Sequence, residues 1–161
     1  MLGAMQRISC RILVFSRFDP MRKGNGHLIP PASTSAKALH IAMVDDDPQL
    51  LGVWVRVLRA GGFEVEGFDD PQRLLEVLGT RPFDAIVTDL KMPGLDGSEL
   101  CAKAQDRFHH APPFVLHTVA AQLLSRAARG RFAAVLDKPC DRRQMFDAVR
   151  HAAAGGAAAR S

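Results

Sequence analysis

The chain has 161 residues, 47% apolar and 24% charged, which suits one globular domain with residues to spare and excludes a disordered or fibrous chain. No apolar run approaches the roughly 20 residues that a membrane-spanning helix needs. Cys10, Cys101 and Cys140 are an odd number without a C-x-x-C spacing, which argues against a disulfide framework or a zinc cage and suits a reducing compartment. The formal charge of +4 is unevenly spread: residues 1–38 hold six Lys/Arg against the single acid Asp19, and the remainder holds fifteen basic and sixteen acidic residues. The body is near neutral, so nucleic acid is not expected as a partner of the domain by itself.

Residues 1–38 read as a flexible basic extension. Arginines interrupt the apolar stretch 8–15, which excludes a signal peptide, and residues 23–26 and 30–35 have Gly- and Pro-rich linker composition. From Leu39 the pattern becomes regular. Residues 39–44 predict a short strand that stops at Asp45-Asp46-Asp47. Residues 48–60 place Leu50, Leu51, Val53, Trp54, Val57 and Leu58 on one helical stripe, capped by Asp47, opened by Pro48 and ended by Gly61-Gly62. Residues 63–68 alternate as a strand, and 71–79 predict a helix with Leu74, Leu75 and Leu78 inward. Residues 83–88 predict an apolar strand that stops at Asp89.

The second half repeats the alternation. Asp96 and Glu99 have capping-box spacing for a helix over 97–108. Residues 114–117 predict a strand, 120–129 a helix ended by Gly130, and 132–136 a fifth strand. Asp141 and Gln144 repeat the cap spacing before a last helix with Met145, Phe146, Val149 and Ala152 inward. The Ala/Gly run 154–161 is expected to be a disordered tail, leaving 39–153 as the domain. Five short apolar strands alternating with five helices predict an α/β fold: a doubly wound five-stranded parallel sheet in a three-layer α/β/α arrangement.

In such sheets ligands sit beyond the carboxyl ends of the strands. Asp45-Asp46, Asp89, Thr118 and Lys138 all fall there. Three carboxylates gathered together repel one another, and a hard cation that takes oxygen ligands resolves this. Mg²⁺, or Mn²⁺ in its place, together with the Lys138 ammonium balances Asp45, Asp46 and Asp89. The site is then able to accept a phosphoryl group on a carboxylate oxygen, with Thr118 as a hydroxyl donor.

Four segments carry a resemblance: Met43-Val44-Asp45-Asp46-Asp47-Pro48, Asp89-Leu90-Lys91-Met92-Pro93-Gly94-Leu95-Asp96-Gly97, Val115-Leu116-His117-Thr118 and Lys138-Pro139. In this order and at these separations, residues 39 to about 153 resemble the receiver domains of two-component response regulators (CheY-like). The second segment matches the family's D-x-x-M-P-x-x-D-G loop at every fixed position. The resemblance implies the strand order 2-1-3-4-5, for which this family is itself the standard example. It implies that Asp89 is the phosphoacceptor, Asp46 a direct metal ligand, Asp45 a ligand acting largely through water, and the Lys91 backbone carbonyl a further ligand. Lys138 resembles the ammonium that contacts the phosphoryl group, Thr118 the switching hydroxyl, and Pro139 the residue after a cis bond. The implied partners are a histidine kinase or phosphotransfer protein as donor and a downstream protein target, in the cytoplasm and without a membrane.

Three departures stand out. Val135 occupies the position three before the lysine where the family usually has Tyr or Phe, and the chain has no Tyr. Val119 is expected to narrow access to Asp89, and Lys91 adds a cation beside it. Two other readings follow: a docking scaffold whose partner binding is largely independent of phosphorylation, and a Mg²⁺-dependent phosphohydrolase, against which stands the lack of a segment to serve as a substrate cap. Asp47 reads as a helix cap, His117 as a packed strand residue, the cysteines as structural, and Arg126, Arg129 and Arg131 as a solvated face.

Overall fold

The computed structural model describes residues 37–159, so the expected flexible extension over 1–38, with Cys10, lies almost wholly outside the described residues. The elements are β1 (His40–Val44), α1 (Pro48–Ala60), β2 (Glu64–Phe68), α2 (Pro71–Val77), β3 (Ala85–Thr88), α3 (Gly97–Arg107) and β4 (Phe114–Thr118). A 3₁₀ turn (Ala121–Leu123), α4 (Arg126–Arg129), β5 (Ala134–Asp137) and α5 (Arg142–Ala159) complete the fold. All four strand pairings are parallel, in the order β2-β1-β3-β4-β5. The expected fold class is the one observed.

The period of two along each strand divides the core into two layers. Ala42, Val44, Ile86 and Leu116 point to one face, where they meet Leu74 and Leu75 of α2 and Leu100 and Ala104 of α3. Ile41, Met43, Val87 and Val115 point to the other, against Trp54 and Leu58 of α1 and Met145 and Val149 of α5. A strand buried on both faces cannot alternate polar with apolar, which is why the strands read as short continuous apolar runs.

Local signals close the helices as expected. Asp47 accepts from the N–H groups of Gln49 and Leu50 at 2.9 and 3.2 Å. Asp96 and Glu99 form the reciprocal capping box, and Asp141 and Gln144 exchange bonds of 2.8 and 2.9 Å.

Two expectations are corrected. The helix expected over 120–129 is broken into the 3₁₀ turn and α4, with Leu124 extended between them. Two hydroxyls compete with a continuous helix: Thr118 takes the Ala120 N–H, and Ser125 caps α4 through the Ala128 N–H at 3.1 Å. The Ala/Gly run expected to be disordered instead continues α5 to Ala159. Ala152 and Ala153 are buried against the sheet, and alanine has the highest helix propensity. Smaller differences lie at strand ends, where β3 and β5 begin two residues later than expected, at Ala85 and Ala134. Among the described residues no helix is long and apolar enough to cross a membrane.

Candidate functional site

Strand register builds the site. Val44 of β1 pairs with Thr88 of β3, so the next residues, Asp45 and Asp89, leave the sheet side by side. Chain order reverses here, since β2 and β3 flank β1, and this is where a parallel sheet opens a crevice. Thr118 of β4 pairs with Asp137 of β5, and the Lys138 N–H donates to the Thr118 carbonyl at 2.9 Å. Lys138 is thereby aimed back along the sheet edge, and the Lys138–Pro139 peptide bond is cis.

One carboxylate oxygen from each of Asp45, Asp46 and Asp89 lies within 4.8 Å of the other two. Lys138 Nζ donates to Asp45 Oδ2 and to Asp89 Oδ2, both at 3.0 Å. Asp45 is 1% exposed and Asp46 is open to solvent, with Asp89 between them. Asp45 Oδ1 accepts the Asp47 N–H at 3.0 Å, and Asp89 Oδ1 accepts the Leu90 N–H at 2.6 Å. Burial draws the Lys138 pKa down, but its hydrogen bonds to Asp89 and Asp45 and the charges of both outweigh this, so the ammonium is held above its ordinary range.

The loop after Asp89 is shaped by two glycines. Gly94 has φ +78°, a left-handed conformation. Gly97 lies so close to the Asp89 backbone that a Cβ there would stand 2.0 Å from the Asp89 carbonyl oxygen. The Gly97 N–H donates to the Leu90 carbonyl at 2.9 Å, tying the start of α3 to the acceptor strand. The sequence marks Gly97 as the first residue of a capped helix and as the last fixed position of the loop that opens with Asp89; how closely it approaches the Asp89 backbone depends on the fold.

Lys91 is exposed and lines an open groove of about 750 Å³ running from Asp46 past Met92 to Leu124 and Ser125. Thr118 is fully buried, and its Oγ1 accepts the Ala120 N–H at 3.2 Å. Val119 is 66% exposed. Val135 is half-buried on β5, away from the acids. His117 is buried, packs edge-on against Trp54 at 5.1 Å between ring centroids, and places Nε2 3.4 Å from Cys140 Sγ. Burial, and then the Lys138 charge, push its pKa down to about 4 against the opposing effect of Asp89. The His117–Cys140 contact was not foreseen, since it depends on how β4 and the segment after β5 lie together. Cys101 is a core residue whose thiol burial pushes up to about 12.

A crevice at the switch point of a 2-1-3-4-5 sheet, three acids and one lysine bridging two of them define a receiver domain. The chain belongs to the response regulator receiver domain family, whose model matches residues 41–150. It is 32% identical over 117 residues to the response regulator protein FleR of Pseudomonas aeruginosa, a match covering 71% of this chain and 25% of FleR. The chain thus spans about a quarter of that relative's length. Among solved structures, the signal receiver domain of an HD domain-containing protein from Pseudomonas fluorescens Pf-5 has a TM-score of 0.68 at 22% identity, covering 76% of this chain and 99% of that one. The response regulator TrrA of Thermotoga maritima, solved in complex with Mg²⁺ and BeF, has a TM-score of 0.65 at 19% identity over 71% of this chain and 98% of its own.

Proposed function

We propose that the chain is a phosphoacceptor signalling domain: Asp89 takes a phosphoryl group from the phosphohistidine of a kinase or phosphotransfer protein in the cytoplasm, and a downstream protein reads the modified domain. One observation carries this reading: a single ammonium bridges two carboxylates from different strand ends, with a third acid beside them at the solvent edge. A purely structural ion pair gains nothing from the extra acid, which only adds repulsion.

In the transfer, an oxygen of Asp89 forms a bond to phosphorus as the donor's P–N bond breaks, and the electron pair leaves on the imidazole nitrogen. Lys138, already held between Asp45 and Asp89, meets the charge on the phosphoryl oxygens without reorganising. Thr118 accepts from Ala120 and keeps its own hydroxyl proton for a phosphoryl oxygen. Asp45, Asp46, Asp89 and the Lys91 carbonyl are an all-oxygen donor set, suited to Mg²⁺ and to Mn²⁺ in its place. When bound, the ion supplies positive charge that offsets the acids and the incoming group. The Mg²⁺–BeF complex of TrrA, a protein of the same fold, supports this assignment. On this reading the domain assists only its own phosphorylation and dephosphorylation and turns over no external substrate.

The test is radiolabel transfer from a phosphohistidine donor, with Asp89→Asn as control. Label on the wild type and none on the variant supports the reading; equal labelling of both, or of neither across several donors, overturns it. Val135 favours a second reading, phosphorylation-independent docking, because β5 carries no aromatic ring there to change position. Partner affinity that is the same with and without beryllofluoride selects that reading.

A further inference from the structure

At the amino ends of β4 and β5, the far edge of the sheet from Asp89, lies a separate cavity of about 690 Å³. Its floor is apolar, formed by Phe132, Ala134, Val135 and Ala152. Its wall on α5 is bare: Gly155 and Gly156 line it, and a Cβ added at Gly155 would meet nothing within 4 Å. Its charged and titratable lining residues are all basic, namely Arg126, Arg129 and His151, with no Asp or Glu among them. Arg129 is anchored, donating to the Ala121 carbonyl at 2.7 Å. Arg126 makes no ion pair among the described residues. An adjoining cavity of about 370 Å³ shares the glycine wall and extends the basic rim through Arg131, His109 and His110, again without an acid.

We propose that this groove binds a small apolar carboxylate, with its carbon skeleton on the Phe132–Val135 floor and its carboxylate at Arg126. The volume is within the roughly 300–1,000 Å³ typical of small-molecule sites, and such sites pair an apolar lining with a few orienting polar groups. A guanidinium forms strong charge-assisted bonds to a carboxylate, and Arg126 and Arg129 without an acid beside them in the lining reject a positively charged ligand.

The test is calorimetric titration of the full chain with dodecanoate, below its micelle-forming concentration, and with dodecan-1-ol as the uncharged counterpart. Dodecanoate binds one-to-one and dodecan-1-ol at least about tenfold more weakly; Arg126→Glu weakens dodecanoate by a similar factor. Gly155→Leu, which fills the groove at a position open to a side chain and favourable to helix, abolishes binding. Unchanged circular dichroism and an unchanged beryllofluoride response in both variants show that fold and acceptor site are intact, so a failure here is distinct from a failure of the Asp89 assignment. No dodecanoate binding, equal binding of acid and alcohol, or insensitivity to Gly155→Leu overturns the proposal. So does a self-associated chain, or a bound acidic peptide, that Gly155→Leu releases while dodecanoate has no effect.

Discussion

The ammonium of Lys138 stands 3.0 Å from a carboxylate oxygen of Asp89, 49 positions earlier in the chain. The same nitrogen is 3.0 Å from Asp45, so one cation serves two acids that the β1–β3 register forces together. Lys138→Met removes it and leaves Asp45 buried without a counterion. We expect a loss of about 3 kcal/mol in urea denaturation at neutral pH with chelator present, partly restored by Mg²⁺. Because the folded pKa of Lys138 is raised, its stabilisation is fully present below the ordinary lysine pKa and is lost as pH rises through the higher folded value.

Asp46 is the exposed member of the acidic group. In chelator, Asp46→Asn relieves repulsion and raises Tm by a few degrees relative to wild type. Mg²⁺ reverses the ranking: wild type gains about 1.4 kcal/mol at a concentration ten times its Kd, and the variant gains less. Differential scanning calorimetry with and without the ion reads both effects. A variant that responds to Mg²⁺ as fully as wild type removes Asp46 from the ligand set.

His117 is buried, its Nδ1 has no hydrogen-bond partner, and its pKa is depressed to about 4. The unfolded chain therefore takes up a proton first on acidification. Stability from the neutral ring is present above pH ~6.5 and declines as pH falls towards 4, by about 3 kcal/mol in all. Other acids contribute to acid unfolding, so the measurement is the difference between wild type and His117→Phe across that window. A difference that does not change with pH rejects the assignment.

Gly97→Ala places a methyl group 2.0 Å from the Asp89 carbonyl oxygen, a backbone atom that cannot turn aside. We expect a loss of about 3 kcal/mol and a weaker beryllofluoride response, because the loop must shift and carry Asp89 with it. Gly155→Ala, where nothing stands within 4 Å of the new Cβ, is the control and leaves the response unchanged.

The strands and their acidic ends were legible because burial on both sheet faces writes continuous apolar runs, and because Asp45, Asp89 and Lys138 each interrupt or follow one. Residues 120–129 misled because their composition suits a helix, while the interruption comes from single hydroxyls on Thr118 and Ser125 whose hydrogen bonds composition does not encode. The tail misled in the opposite sense: low complexity suggests disorder, yet burial of Ala152 and Ala153 holds the helix. Contacts such as Gly97 with Asp89 and His117 with Cys140 were not legible, since each joins segments that only the finished sheet brings together.

Among the described residues β5, which Lys138 follows, is the last strand of this sheet in chain order and one edge of it. During translation the acids therefore emerge before their counterion, and β4 waits with an open edge until β5 is added. A chain interrupted before residue 134 would carry both faults at once, a β4 paired on one side only and acids without their lysine. Arrival of β5 thus gives β4 its second partner and the acids their lysine together, so that a prematurely terminated product is poorly placed to imitate the finished one.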